Sequence, residues 1–157
     1  MPVRLDLIRH GDAVPAGSAG DASRILSAIG RRDVTRLAEE YVRRRWRPAR
    51  VFVSPLLRAQ ETARILLDQL GGEIELETME ELDPSYGGSE LITALRAGAT
   101  VDYVVAIGHQ PLMGHLAEVL TGEEVAFPPA GMAWIEFGGA LEAEGGRLVQ
   151  QVLPEKH

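Results

Sequence analysis

The stretch VDYVVAIGHQP (residues 101–111) is an almost continuous apolar run that ends in a glycine, a histidine and a glutamine. Such a run is typical of a strand that is buried on both faces, as in parallel sheets covered by helices. Because polar residues follow the run at once, we expect the strand to carry them to the carboxyl edge of the sheet. The stretch therefore favours an α/β fold with a site at that edge.

The rest of the chain alternates between strand and helix patterns. β-rich or alternating sequence predicts further strands at 3–8, 50–54, 73–78, 133–137 and 147–152. Apolar spacing predicts helices over 34–46, 55–70, 89–95 (with Ser89 as N-cap) and 112–120. This order predicts one domain over residues 1–157. Its fold would be a three-layer α/β/α sandwich with a mostly parallel central sheet and antiparallel pairing at the C-terminal end.

The composition excludes several classes of protein. The 157 residues carry a formal net charge of −7, with 45% hydrophobic and 25% charged residues. The acidic balance argues against general nucleic-acid binding. Since cysteine is absent, a disulfide framework, a thiolate metal site and a cysteine nucleophile are all impossible. The N-terminal apolar stretch is too short and too charged for a signal peptide or a membrane span, so we expect a cytoplasmic protein without membrane binding.

Three sets of polar residues stand at the ends of predicted strands. They are Arg9-His10-Gly11, Ser54-Pro55 with Arg58 one helical turn on, and Gly108-His109-Gln110-Pro111. In an open α/β sheet the ends of the strands border one crevice, so these sets are expected to converge. Two histidines beside two arginines would form an anion site with a potential nucleophile, because the guanidinium group suits bidentate recognition of phosphate.

Longer motifs around these sets resemble a known family. They are LIRHGDA (7–13), SPLLRAQETARIL (54–66) and AIGHQPLMG (106–114), with SRILSAIGRRDVTRLA (23–38) as a weaker match. In this order and spacing they are similar to the histidine phosphatase superfamily (branch 1), whose fold is phosphoglycerate mutase-like. The opening RHGDA and the small size, without large insertions, most resemble the SixA-type phosphohistidine phosphatases of that superfamily.

The resemblance implies a role for each matching residue. His10 would be the nucleophile and would be transiently phosphorylated. Arg9, Arg58 and His109 would hold the phosphoryl oxygens, with Arg24 as a further phosphate ligand. Phosphoryl transfer needs mainly positioning and charge stabilisation, which guanidinium groups supply, so we predict no metal and no cofactor. The cation of Arg9 is also expected to keep the His10 imidazole unprotonated, as a nucleophile must be.

The acidic loop TMEELDPSYGG (78–88) bears on the choice of substrate. An alkoxide leaving group needs a proton donor, whereas imidazole, with a pKa of about 6.5, leaves with little help. The mutases and many small-molecule phosphatases of the superfamily use a glutamate after the third strand for this purpose. Glu81 is the corresponding candidate for a general acid, with Glu80 and Asp83 behind it. The alternative is that the loop is only a solvated acidic run.

We therefore predict a metal-independent phosphatase that acts on phosphohistidine of a protein, such as a histidine-containing phosphotransfer domain. Asp12 and Ala13 stand where the mutases continue differently, which argues against mutase activity. One alternative is a phosphomonoesterase for sugar or nucleotide phosphates, a small phosphate ester being hydrolysed with Glu81 as general acid. A second is a non-catalytic phosphate-binding module. The segment FPPAGMAWIEF (127–137) is expected at the edge of the site.

Overall fold

A six-stranded sheet forms the centre of the computed structural model, which describes residues 3–155. Its strands are β1 (Val3–Arg9), β2 (Arg50–Val53), β3 (Glu75–Thr78), β4 (Tyr103–Gly108), β5 (Met132–Phe137) and β6 (Gly146–Val152). They are arranged in the order β3-β2-β4-β1-β5-β6. The first four of these are mutually parallel, whereas β5 is antiparallel to β1 and β6 is antiparallel to β5. This confirms the predicted sheet, including its antiparallel C-terminal end.

Helices cover both faces of this sheet. They are α1 (Ala28–Arg44), α2 (Leu57–Leu70), α3 (Gly88–Gly98) and α4 (Leu112–Thr121). Alternate residues of β4 show the division: Val104 and Ala106 pack in one apolar cluster with residues of α3 and α4, and Val105 and Ile107 pack in another with residues of α1 and α2. The predicted three-layer α/β/α sandwich is thereby confirmed. Within residues 3–155, none of the helices has the length and apolar character needed to cross a membrane.

Three helices begin at other residues than the sequence predicted, although α2 begins only two residues late, at Leu57 instead of Pro55. Helix α1 starts at Ala28 instead of residue 34, because the Ser27 hydroxyl accepts a hydrogen bond from the Gly30 N–H at 3.0 Å. The prediction relied on the spacing of apolar residues from Val34 onward, and the large apolar residue of the first turn, Ile29, is exposed. The N-cap of α3 is Gly87 and not Ser89, since the Glu90 carboxylate accepts from the Gly87 N–H.

The strand order places the three predicted residue sets side by side. Strand β4 lies between β2 and β1, with Ile107 opposite Val53 and Gly108 opposite Arg9. The residues that follow these positions therefore leave the sheet at the same level. This is the crevice expected from the sequence.

Candidate active site

His10 follows β1 directly and is held in one orientation. Its backbone N–H donates to the Gly108 carbonyl at 3.0 Å, and only 7% of the residue is exposed. The ring Nδ1 lies 2.6 Å from the Gly11 carbonyl oxygen. Since a carbonyl can only accept, Nδ1 carries the proton. The other nitrogen, Nε2, accepts from the Arg58 Nε at 3.3 Å and so presents a lone pair to the guanidinium.

The His10 ring is neutral for a reason that the sequence indicated only in part. Burial is the largest cause and lowers the pKa of His10 to about 4, although the Gly11 hydrogen bond opposes it. The charges of Arg58, Arg9 and Arg24 lower it further, in that order. The neighbouring Arg9 therefore acts in the predicted direction, but it contributes less than burial and less than Arg58.

His109 lies against His10 from the end of β4. The two ring centroids are 4.9 Å apart and the ring planes are tilted by 60°. His109 is 2% exposed, and burial, followed by the charges of His10 and Arg58, lowers its pKa to about 3. Its Nε2 is hydrogen-bonded to the Ser54 Oγ at 2.7 Å. Its Nδ1 is buried and has no hydrogen-bond partner among residues 3–155.

Arg58 and Arg24 share one carboxylate. The Arg58 Nη2 donates to Asp21 Oδ2 at 3.2 Å, and the Arg24 Nη1 donates to Asp21 Oδ1 at 3.1 Å. Asp21 lies on an exposed 3-10 turn (Asp21–Ser23), whereas the Arg58 side chain is only 6% exposed. The hydrogen bond from Arg24, followed by the charge of Arg58, holds the pKa of Asp21 below its usual range. The structure thus brings Arg24, from the weaker-matching motif, to the same carboxylate as Arg58.

Arg9 completes the cationic side of the site. Its Nη1 donates to the Phe127 carbonyl at 2.9 Å, while its Nε is buried and unpartnered within the described part of the chain. The Ala130 N–H donates to the carbonyls of both Arg9 and His10 at 3.1 Å. Residues 127–131 therefore lie beside Arg9 and His10, whereas residues 132–137 form β5 and run along β1 away from them, with Phe137 opposite Val3, so only the first part of the predicted segment 127–137 borders the site.

One turn of α2, residues 60–62, is hydrogen-bonded to the chain segments that contain His10, Arg24 and Ser54. Three of its side chains hydrogen-bond to the backbone of a different segment each: Gln60 to the Ser54 carbonyl at 2.8 Å, Glu61 to the Leu26 N–H at 2.8 Å, and Thr62 to the Gly11 N–H at 3.2 Å. The glycine after His10 permits a close approach to α1, because a Cβ on Gly11 would lie 2.7 Å from Val34 Cγ2.

In the acidic loop it is Asp83 that interacts with residues of the candidate site. Within residues 3–155, no hydrogen bond or ion pair joins Glu81 to the arginines or histidines of the site, and Glu81 lines a groove with Arg50 and Tyr86. Asp83 interacts electrostatically with His109 and Arg58. Hydrogen bonds from the Ser85 N–H and hydroxyl, at 2.9 and 2.7 Å, are the main cause that lowers the pKa of Asp83. Asp83 is therefore ionised at neutral pH.

The arrangement of neutral histidines among arginines coincides with a family match. The model of the histidine phosphatase superfamily (branch 1) matches residues 5–126. The chain belongs to this superfamily.

Relatives of this histidine phosphatase include SixA proteins. Phosphohistidine phosphatase SixA of Escherichia coli (strain K12) is 36% identical over 122 residues, which cover 74% of each chain. The solved structure of the protein histidine phosphatase SixA complexed with tungstate has a TM-score of 0.84 and 28% identity, and the match covers 96% of both chains. A mycobacterial glucosyl-3-phosphoglycerate phosphatase, at 18% identity, TM-score 0.67 and coverage of 94% and 97%, shares the fold. This superfamily member is thus a phosphatase of the histidine phosphatase type, as the motifs predicted.

Sequence reasoning missed two contacts of the site. Asp21 stands three residues before Arg24, a spacing that fits an ion pair on a helical turn, but this spacing is too common to be noticed in a Gly/Ser-rich loop. Ser54 belonged to a predicted set, yet nothing in the sequence indicated that its hydroxyl contacts His109.

Proposed function

We propose that this histidine phosphatase removes phosphoryl groups from phosphohistidine on a protein, such as a histidine-containing phosphotransfer domain. His10 is the nucleophile, and Arg9, Arg24, Arg58 and His109 bind the phosphoryl oxygens. The observation that carries the proposal is the orientation of His10. Its Nδ1–H is fixed by the Gly11 carbonyl at 2.6 Å, so the Nε2 lone pair is directed to the guanidinium of Arg58.

In the first step His10 Nε2 attacks the phosphorus, and the bond between phosphorus and the substrate imidazole breaks. The electron pair of that bond goes to the substrate ring. If the ring carries a proton on its other nitrogen, it leaves as neutral imidazole and needs no further acid. The arginines stabilise the charge on the equatorial oxygens in the transition state.

In the second step water attacks the phosphorus of phospho-His10. The bond to Nε2 breaks, the water oxygen stays on phosphorus, and both water hydrogens leave with inorganic phosphate. The proton of His10 stays on Nδ1, hydrogen-bonded to the Gly11 carbonyl, throughout. His10 is therefore a neutral imidazole again once its bond to phosphorus has broken. The same hydrogen bond therefore serves the formation and the hydrolysis of the intermediate.

The acidic loop supports an imidazole leaving group over an alkoxide. Asp83 interacts with His109 and Arg58, but the hydrogen bonds from Ser85 lower its pKa, so it holds no proton to donate at neutral pH. Glu81 has no hydrogen bond to the site within residues 3–155. A leaving group that departs without an acid suits such a site best. The similarity to phosphohistidine phosphatase SixA points to the same class of substrate.

The test is a substrate panel on wild type, His10→Asn and Glu81→Gln. The substrates are a phosphorylated histidine-containing phosphotransfer domain, phosphoserine and a sugar phosphate. We expect the wild type to hydrolyse phosphohistidine fastest, and we expect Glu81→Gln to match it. His10→Asn should lose about 10⁴-fold or more in kcat/KM, because the attacking atom is gone.

The matched control is His115→Asn, which removes an exposed histidine of α4. It should retain full activity and should trap the same acid-labile phosphoryl group as the wild type, whereas His10→Asn should trap none. A wild type that is inactive on phosphohistidine but hydrolyses alkyl phosphates in a Glu81-dependent manner would contradict the proposal. Binding of phosphate without turnover of any substrate would instead favour a non-catalytic module.

A further inference from the structure

A fully buried hydroxyl group lies behind His109. Ser54 follows β2, is 0% exposed, and places its Oγ 2.7 Å from His109 Nε2. Its backbone is fixed on both sides, since its N–H donates to the Ile107 carbonyl at 3.1 Å and its carbonyl accepts from the Gln60 amide at 2.8 Å. The position of this hydroxyl is therefore set by the sheet and by α2.

The proton count at Ser54 distinguishes two arrangements. The Leu56 N–H donates to Ser54 Oγ at 3.2 Å, which leaves the hydroxyl hydrogen in need of an acceptor. If Ser54 donates to His109 Nε2, this need is met and the single proton of the neutral ring is on Nδ1. If Nε2–H donates to Ser54 instead, the hydroxyl hydrogen has no acceptor within residues 3–155, which is unfavourable for a buried group.

We propose that Ser54 is a positioning residue that fixes the tautomer of His109, so that a neutral His109 presents Nδ1–H to a phosphoryl oxygen. The buried Nδ1 that lacks a partner among the described residues is the donor left open for this purpose. The inference rests on the proposed role of His109 as a phosphoryl ligand. It adds the reason why a neutral ring donates there: the opposite tautomer would direct a lone pair at the phosphoryl oxygen and repel it.

The two histidines of the site are then fixed in the same tautomer for opposite tasks. His10 has its Nδ1–H bound to the Gly11 carbonyl, so the lone pair that attacks phosphorus is on Nε2, where it accepts from Arg58 Nε before the phosphoryl group binds. His109 has its Nε2 bound to the Ser54 hydroxyl, so Nδ1–H is free to donate. In each ring the proton is on Nδ1, and the proposal assigns the lone pair of His10 Nε2 and the Nδ1–H of His109 to the phosphoryl group.

Nitrogen-15 NMR of the histidine rings in the whole chain tests this directly at neutral pH. We expect the resting enzyme to show His109 protonated on Nδ1, with a signal that moves when inorganic phosphate is added. A wild-type His109 protonated on Nε2, or one that ignores saturating phosphate, would overturn the proposal. The assignment comes from His109→Asn, which removes only that signal.

Substitution of Ser54 supplies the kinetic test. Ser54→Ala should lower kcat/KM by about 10- to 100-fold and add the Nε2–H form of His109 to the NMR spectrum, because the tautomer is no longer selected. Ser54→Thr keeps a hydroxyl and should restore the Nδ1–H form. Thr121→Val removes a hydroxyl at the opposite end of α4 from His109 and should leave activity unchanged.

Equal activity in Ser54→Ala and wild type would refute the role of Ser54. If either variant proves unstable by thermal denaturation, the tautomer measured in the wild type decides. Failure of the proposed function is a separate result, because it would appear as a wild type that forms no phospho-His10, whatever the tautomer of His109.

Discussion

Both ends of β1 carry an arginine, but Arg4 near its start is paired with a buried carboxylate, whereas Arg9 at its end donates to a backbone carbonyl. Near its start lies a basal cluster, which comprises Arg4, Asp6, Tyr41, Trp46, Tyr103 and Trp134. The Arg4 guanidinium donates twice to the fully buried Asp6 carboxylate, at 2.9 and 3.1 Å, and lies 3.7 Å from the centroid of Trp134. The hydroxyls of Tyr41 and Tyr103 donate to the same carboxylate at 2.6 and 2.7 Å.

At its other end β1 carries an arginine with no such partner. Arg9 donates to a backbone carbonyl, and neither its buried Nε nor the Nδ1 of the nearby His109 has a hydrogen-bond partner among residues 3–155. The carboxylate at this end, Asp21, is on an exposed turn and is shared between Arg24 and Arg58.

The difference indicates a structural role for Arg4 and, under the proposed function, a binding role for Arg9. Arg4 is neutralised within the fold by a carboxylate that cannot leave, and aromatic rings cover its faces. Under the proposed function, Arg9 and Arg58 would donate to the oxygens of a phosphoryl group from the substrate. Substitutions in the basal cluster should therefore change the stability of the protein, and substitutions in the candidate active site should change its activity.

Asp6→Asn should have the largest effect on stability. It leaves Arg4, whose side chain is 13% exposed, without its buried carboxylate partner, which costs about 3 kcal/mol of the free energy of unfolding. Denaturant unfolding measures this, with the exposed Asp102→Asn as control. The kcat/KM per folded molecule should stay at the wild-type value. A loss of activity without a loss of stability would contradict the structural role of Arg4 and Asp6.

Arg58→Lys should give the reverse pattern. Lysine cannot donate to His10 and Asp21 in the planar geometry of the guanidinium, so kcat/KM should fall by about 10²- to 10³-fold. Stability should change little. The matched variant is Arg4→Lys, which should lower the denaturation midpoint and leave kcat/KM intact. If both arginines behaved alike in these two assays, the distinction between the ends of β1 would be wrong.

The buried histidines predict a pH dependence of stability. Their folded-state pKa values, about 4 for His10 and about 3 for His109, lie below the unfolded value of 6.5. The unfolded chain therefore binds more protons below pH 6.5, and stability present at pH 7 is lost as the pH falls toward 4. Each histidine should contribute on the order of 1–2 kcal/mol to the loss between pH 7 and 5.

Denaturant unfolding at pH 7 and pH 5 measures this loss. His10→Asn should reduce the difference between the two pH values, whereas the exposed His115→Asn should not. An identical pH dependence in wild type and His10→Asn would mean that His10 is not held neutral by burial.

Asp21→Asn should have the smallest effect. The carboxylate competes with an incoming phosphoryl group for Arg24 and Arg58, so its removal should lower the inhibition constant for inorganic phosphate by about two- to fivefold. Competition assays against wild type measure the change, with Glu124→Gln as an exposed acidic control. A higher inhibition constant would show that Asp21 orients the arginines instead of competing for them.

The sequence predicted the strand ends well and the side-chain partners poorly. The runs before His10, Ser54 and His109 are strongly apolar or β-branched, so their ends could be located, and parallel pairing then requires them to meet. The ion pairs of Asp21 and the hydrogen bond of Ser54 depend on the fold of loops and on distances between distant segments. Neither leaves a periodic pattern in the chain. In the acidic loop, the electrostatic interaction of Asp83 with His109 and Arg58 depends on the geometry of the loop, which acidity alone does not indicate.

The single turn of α2 at 60–62 has a consequence for how activity is lost. It holds the segments of Gly11, Leu26 and Ser54 at once, through one hydrogen bond each. Local opening of that turn would release the nucleophile segment, the Arg24 segment and the support of His109 together. We therefore expect a molecule in which this turn has opened to be inactive, and not to turn over at a reduced rate. The measured turnover rate would then be proportional to the fraction of molecules in which this turn of α2 is in place, so activity would measure local unfolding of the helix.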